Sequence, residues 1–474
     1  MATPQPSTDP LVAIDDLLRK HEQTHLLRFW SDLNEAEQSR LVDQIEAIDF
    51  EQVSVLSQAK KTSQVLQELA SKAGPPQAIR KGDNTNKQQV DQLAEDALSM
   101  GKVGVVLVAG GQGTRLGFPH PKGMLEIGPI SKRTLFQFHI DQLKAISKRY
   151  RCEIPIYVMT SPATHEETVK YFEEADHFGI STDNLHLFCQ GTMPAVDAKT
   201  GRVLMSEVGE ISLSPDGHGG MLEAFQKSGC FDHAKNRGIE QIFYFQVDNP
   251  LVAICDVDLL GRHLLEESEL TTQVVAKKNP EDRVGNVVEV DGTTMVIEYS
   301  DLPLEVANQR NADGSLKLWA GNIAVHVFDL QFLERMTTEL NALPFHVAKK
   351  KVRYVDADGN SIDPVEPNAI KFERFIFDLL PLAKNAIVVE TDEKRRFAPV
   401  KNASSASSDT PETARAAIVR ESRLIIESAG GIVDPDVIVE INPLFALDSD
   451  EFISKIEGPI HITAPTYFSP EGRT

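Results

Sequence analysis

The stretch LVAGGQGTRLGFPHPKG, residues 107–123, decides the fold class of this chain. It places a glycine-rich turn at the end of an apolar run and follows it with two cations. Residues 103–109 carry no charge and one glycine, which suits a parallel strand covered on both faces. Glycines at 110, 111, 113 and 117 let backbone N–H groups approach a phosphate chain without Cβ atoms in the way, and Arg115 and Lys122 add positive charge. Such a turn suits a polyphosphate. Two better-known glycine motifs are excluded. GxxxxGK[ST] fails because Lys122 is followed by Gly123, and GxGxxG fails because Gly111, Gly113 and Gly117 are spaced GxGxxxG.

Outward from this turn, apolar strands alternate with helical stretches, the order of a doubly wound α/β sheet. Strands are expected at 103–109, 154–160, 185–189 and 242–247, with capping boxes at Thr134/Gln137 and Thr164/Glu167 starting the helices after the first two. Ligands of open sheets bind beyond the carboxyl ends of strands, where the glycine turn, Ser161, Gln190 and Asp248 fall. Residues 10 to about 100 read as helical, with Leu17, Leu18, Leu26, Leu27, Trp30 and Leu33 on one face and a capping box at Asn34/Glu37. Residues 273–328 are rich in β-branched residues, with turns at Asp291-Gly292 and Asp313-Gly314, and read as an antiparallel addition. Beyond about residue 388, past the polar loop 401–410, a smaller mixed domain is expected. The organisation expected is therefore a helical N-terminal region (1–100), a central domain (101–387) and a C-terminal domain (388–474).

The 474 residues exceed one ordinary core. A net charge of −22 argues against nucleic acid or an anionic membrane as a partner, since both would repel such a surface. The four cysteines, Cys152, Cys189, Cys230 and Cys255, form no CxxC pair, so neither zinc nor a disulfide framework is expected. With no signal-like start and no apolar run of about 18 residues, a soluble cytoplasmic protein is expected.

Asp248 ends the apolar run IFYFQV and stands beside Asn249 in VDNPLV. A carboxylate there, across the sheet from the glycine turn, suits magnesium; capping its own loop is the alternative. The turn GGQGTRLG with PKGM at 121–124 resembles the signature of sugar-nucleotide pyrophosphorylases. Its form is similar to the eukaryotic-type UDP-N-acetylhexosamine pyrophosphorylases of the UDPGP type 1 uridylyltransferase family. LFCQG (187–191), SPDGHGG (214–220), RVGNVV, AGNIAVH, FERFIFD, FAPVKN and INPLFAL (441–447) extend the resemblance over about residues 90 to 450.

The resemblance implies a Rossmann-like mixed sheet of the GT-A-like nucleotide-diphospho-sugar transferase type. It also implies a reaction of UTP with a sugar 1-phosphate, N-acetylglucosamine 1-phosphate first among them, assisted by Mg²⁺. Arg115, Lys122 and Lys401 would be the catalytic cations and Asp248 the metal ligand. Gly110, Gly111, Gly113, Gln190 and Gly217 would bind UTP, with the Gln190 carboxamide offering uracil a donor and an acceptor. Asn249, Gly285, Glu298, Asn322, Phe375 and Phe377 would line the sugar pocket. By default, two phenylalanines two apart share one side of a core strand, and His218, where animal members usually have asparagine, is a surface loop residue. Two other readings stay open. One is a uridylyltransferase for glucose or galactose 1-phosphate; the other is a UTP-binding regulatory protein without turnover, against which the intact cations speak.

Overall fold

The computed structural model describes residues 10–58, 63–339 and 343–474. At its centre is one nine-stranded sheet: β1 (Val103–Val108), β2 (Ile156–Thr160), β3 (Leu185–Cys189), β4 (Gln241–Gln246), β5 (Leu270–Ala276), β6 (Asn286–Val290), β7 (Thr293–Ile297), β8 (Ala320–Asp329) and β9 (Ala386–Glu390). The spatial order is β7-β6-β8-β4-β1-β2-β3, with β5 pairing both β8 and β9. β4, β1, β2 and β3 run parallel. Their register puts Val108 beside both Gln246 and Met159, and Thr160 beside Cys189, so four strands end along one edge.

The four expected strands are all present, within two residues at each end. β1 and β2 are continuous apolar runs because both faces are covered, the pattern of a buried parallel strand. Val105, Leu107, Phe243 and Phe245 share one core with Leu135 and Phe136 of the helix Leu135–Tyr150 and with Ala94 and Leu98 of the helix Lys87–Ser99. The capping boxes at Asn34/Glu37 and Thr134/Gln137 form as expected. That at Thr164/Glu167 does not, because the Thr164 hydroxyl accepts from the Ser161 amide (3.1 Å) and donates to the Ser161 carbonyl (3.2 Å). Its oxygen closes the turn after β2 instead.

The segment expected to be an antiparallel addition is part of the main sheet. β8 pairs antiparallel with β4 at residues 326–329 and, on its other edge, with β5 along 320–328, so the strands from 270 to 329 extend the parallel half sideways. Asp291 and Gly292 turn the β6–β7 hairpin with φ of 50° and 80°, the left-handed pair that such tight turns require. The N-terminal region is not wholly helical: Gly74 and Ile79 form bridges to Glu289 and Val389 at the sheet.

The contacts divide the chain into two compact units, neither continuous in sequence. The first comprises Met1–Val65, Gly191–Gly220 and Leu343–Ile376. In it the helices Pro10–Lys20, Glu35–Glu46 and Phe50–Gln58 cover a small sheet of Phe345–Lys350, Ala369–Arg374 and Val196–Asp197, burying Leu18, Leu41, Ile45, Val196 and Phe372 together. The second comprises Leu66–Gln190, Met221–Ala342 and Phe377–Thr474 and contains the nine-stranded sheet. Its C-terminal portion packs the helix Pro411–Ser428 on the parallel pair Val439–Ile441 and Thr466–Ser469, around Ile426, Val439, Phe452 and Phe468. There the fully buried Glu440 carboxylate accepts from the Ile130 and Ser131 amides (2.7 and 2.8 Å) and the Ser131 hydroxyl (2.5 Å), which satisfies the charge without a cation. Among the described residues no helix is long and apolar enough to cross a membrane.

The helix Val257–Leu265 crosses Lys87–Ser99 at Gly261, where a Cβ would lie 2.0 Å from the Val90 carbonyl oxygen. Gly261→Ala is therefore expected to force the helices apart and to lower the unfolding free energy by about 1–3 kcal/mol. A urea titration followed by circular dichroism reads this as a lower midpoint with an unchanged slope.

Candidate active site

Beyond β1 the chain folds back on itself through residues 110–123. The Lys122 amide donates to the Gly111 carbonyl (3.0 Å), Gly113 to His120 (2.8 Å), and Phe118 back to Gly113 (3.1 Å). These bonds return Lys122 to the mouth of the turn, where its ammonium stands 3.8 Å from Asp248 Oδ2. Both side chains are largely buried, at 18% and 13% exposure, so their charges interact with little screening. Arg115, on the outer side of the turn, is exposed and has no ion-pair partner among the described residues. It is a cation available to a ligand.

Gly110 is where three strand ends meet. A Cβ there would lie 2.8 Å from Gln190 Oε1, the Ser161 hydroxyl donates to the Gly110 carbonyl (2.7 Å), and the Gln190 amide donates to the Thr160 carbonyl (3.0 Å). Only glycine lets the buried Gln190 carboxamide lie this close. Asp248 follows β4 and is tied to a distant stretch of sequence, because its carbonyl accepts from the Val400 amide (2.9 Å). Lys401 is the next residue, and its ammonium sits 5.6 Å from the Phe397 ring centroid. Beneath Asp248, buried His139 donates from Nε2 to the Val247 carbonyl (3.0 Å). Burial lowers this imidazole to about 4, so it is neutral at pH 7.

The structure thus brings together the side chains of Lys122 and Asp248 and the segment that carries Lys401, from three stretches of chain. It also groups three of the expected sugar residues. The Asn322 amide donates to the Gly285 carbonyl (2.8 Å), and Glu298 Oε1 lies 3.0 Å from where a Gly285 Cβ would stand. Asn249 is anchored: Nδ2 donates to the Arg396 carbonyl (2.8 Å), while Oδ1 accepts from Ala398 (3.0 Å) and Leu251 (3.2 Å). Its carboxamide therefore holds the segment that leads to Lys401.

Gly217 and Phe375 belong to the first unit, and the other expected site residues to the second. Gly217 has φ +87°, and a Cβ would lie 2.4 Å from the Arg374 carbonyl oxygen. Arg374 in turn pairs with Asp216 and donates its amide to the Asp216 carbonyl (2.7 Å). His218 is not a solvated loop residue. It stacks on Phe375 at 5.3 Å between ring centroids, accepts from the Ile376 amide (3.3 Å), and is lowered to about 4 by burial, with His346 adding to the shift. The two phenylalanines do not share a strand side, because the strand stops at Arg374 and a 3₁₀ turn, Ile376–Leu382, follows; Phe377 is buried there.

Three groups went unread in the sequence. Lys277 is 9% exposed, donating to Asn286 Oδ1 (2.7 Å) and the Pro280 carbonyl (3.4 Å), and burial lowers its pKa. Asp409 grips the Lys401 segment, its carbonyl accepting from the Lys401 (2.7 Å) and Asn402 (2.9 Å) amides. Arg283 shares with both a cleft of about 640 Å³, which Lys394, Lys401 and Arg420 also line. Lys277 and Lys278 follow an apolar strand, and strand alternation sends one of two adjacent lysines inward; that was the available signal.

A family model described as UTP–glucose-1-phosphate uridylyltransferase matches residues 50–465. The chain is 33% identical over 476 residues to the mouse protein named UDP-N-acetylhexosamine pyrophosphorylase-like protein 1, covering 93% of this chain and 94% of that one. It is also 33% identical to the Saccharomyces cerevisiae protein named UDP-N-acetylglucosamine pyrophosphorylase, covering 92% and 95%. A crystal structure described as a putative UDP-N-acetylglucosamine pyrophosphorylase from Entamoeba histolytica superposes with a TM-score of 0.75 at 29% identity, over 82% of this chain and 98% of that one.

Replacing Asn249 by alanine removes all three of its main-chain bonds and leaves buried groups unpaired. The expected outcome is a loss of about 2 kcal/mol in unfolding free energy together with lower turnover. A residue that only touched substrate would raise KM and leave the thermal midpoint where it was, and differential scanning calorimetry beside steady-state kinetics separates the two.

Proposed function

The chain belongs to the UTP–glucose-1-phosphate uridylyltransferase family, and from that we propose that it joins UTP and a sugar 1-phosphate into a UDP-sugar, releasing pyrophosphate. N-acetylglucosamine 1-phosphate is the proposed sugar substrate. The observation that carries the reading is the convergence of Lys122, Asp248 and the Lys401 segment at the carboxyl edge of β1 and β4. The sheet is read as the GT-A-like core of nucleotide-diphospho-sugar transferases. Four unpaired cysteines fit a reducing compartment, and the cytoplasm is the proposed location.

In this reaction an oxygen of the sugar phosphate attacks the α-phosphorus of UTP, and a P–O bond forms as the bond to the leaving pyrophosphate breaks. Two anions must be aligned against their repulsion, so positioning and fixed positive charge do the work. Lys122 and Lys401 brace the α-phosphate and the incoming phosphate, and Arg115 holds the leaving pyrophosphate. The Gln190 carboxamide pairs with uracil, and Gly110, Gly111 and Gly113 leave room for base, ribose and phosphates. Gly285, Glu298, Asn322 and Phe377 meet the sugar, and Asn249 orients the segment behind it.

Asp248 is the proposed magnesium ligand. Among the described residues no three His, Cys, Asp or Glu side chains are grouped to hold a metal, so the protein offers at most two such ligands, Asp248 among them. That fits an ion completed by phosphate oxygens and water, as magnesium commonly is. When bound, magnesium neutralises phosphate charge. The expected behaviour of Asp248→Ala is turnover that added magnesium no longer raises; a magnesium response like that of the parent removes Asp248 from this role.

Substrate class is tested by pyrophosphate release from UTP with N-acetylglucosamine, N-acetylgalactosamine, glucose and galactose 1-phosphates. The N-acetyl forms are expected to turn over fastest. Faster release with the plain hexoses overturns the sugar assignment, and no release with any of them overturns the transferase reading.

A further inference from the structure

Asp409 is held in an unusual way for an aspartate beside a lysine. Its backbone is left-handed, with φ +57°, a region that aspartate and asparagine enter more readily than other residues with a Cβ. That conformation turns its carbonyl toward the Lys401 and Asn402 amides, which both donate to it at 2.7 and 2.9 Å. The next residue, Thr410, caps the helix Pro411–Ser428 and is buried, so Asp409 is fixed from both sides. Its carboxyl group lines the cleft that Lys401 lines, within electrostatic reach of Lys401 and Arg283 on one side and of Asp248 and Asp282 on the other. Burial together with Asp248 and Asp282 raises its pKa, while Lys401 and Arg283 draw it down. Lys401 itself makes no ion pair within 4 Å among the described residues, its ammonium resting over Phe397.

We infer that Asp409 is a positioning residue for Lys401 with two separable parts: its left-handed backbone aims the lysine, and its carboxylate offsets the lysine's charge so that the diphosphate product is released. This rests on the proposed role of Lys401 at the phosphates. A lysine left without any counter-charge in a half-enclosed cleft holds an anion before and after the reaction alike, which binds product as well as the transition state. A carboxylate at a distance lowers that hold without forming a direct pair that would withdraw the lysine from the phosphates.

The two parts are separable because asparagine and glycine both enter left-handed backbone, whereas alanine does so at a cost. The measurement is isothermal titration of UDP-N-acetylglucosamine into the full-length chain and its variants, at two salt concentrations. Asp409→Asn and Asp409→Gly are each expected to bind the UDP-sugar about fivefold more tightly than the parent, with a gain that shrinks in salt. Asp409→Ala is expected to lower the thermal midpoint as well. In a Lys401→Ala background Asp409→Asn is expected to change affinity less than twofold. Parent-like binding by both Asp409→Asn and Asp409→Gly overturns the inference, as does a full fivefold gain that persists without Lys401. Should Lys401→Ala alone leave UDP-sugar affinity and turnover unchanged, it is the assignment of Lys401 to the phosphates that fails, a result distinct from the other two.

Discussion

Parallel register between β1 and β4 is the constraint on which the site depends. Val108 lies beside Gln246, so the turn that leaves β1 and the loop that leaves β4 start side by side. From there the ring of main-chain bonds between Gly111 and Lys122 needs only to bring the lysine back, and it meets Asp248 at 3.8 Å. A slip of one residue would send every side chain of the strand to the opposite face and separate the pair. The apolar side chains of β1 that pack on one face, Val105 and Leu107, hold that register through burial.

A second tie closes the site from the far end of the chain. The Asp248 carbonyl holds Val400, Asn249 holds Arg396 and Ala398, and Asp409 holds Lys401 and Asn402. Each is a bond to main chain, so the stretch 396–402 is pinned by backbone polar groups that would otherwise need partners, in addition to the burial of Val400 in the main core. The helix that follows reaches back as well. Arg415 donates to the Glu126 carbonyl (2.8 Å). Glu440 and Asn442 then secure Ile130, Ser131 and Asp141, eight to nineteen residues beyond Lys122. Lys122 and Lys401 are therefore carried by one connected framework.

Much of this was legible from residues alone. A continuous apolar run, glycines in a cluster and cations at set distances marked β1 and its turn, and the same logic located β2, β3 and β4. The Thr164 capping box failed because a hydroxyl three residues from a serine amide has a rival use, which local pattern does not rank. Residues 273–328 read as an antiparallel addition because antiparallel alternation looks alike within one sheet or beside it. Only the pairing of β8 with β4 on one edge and with β5 on the other decides between the two. His218 read as solvated because its neighbours are glycines, whereas Phe375, more than 150 residues later, covers it.

By itself the sequence determined the groups on offer: a glycine-rich turn with Arg115 and Lys122, a carboxylate after a buried strand, and the order of motifs that marks the family. These are local, since strand formation, turn conformation and charge follow from neighbouring residues. Tertiary structure alone decided which distant groups share a site and which side chains are already spoken for. Asn249 anchors main chain 147 and 149 residues away, Lys277 is buried, and the Asp409 carbonyl holds the Lys401 amide, because each depends on where the sheet places its strand ends and loops, and no local pattern carries that information.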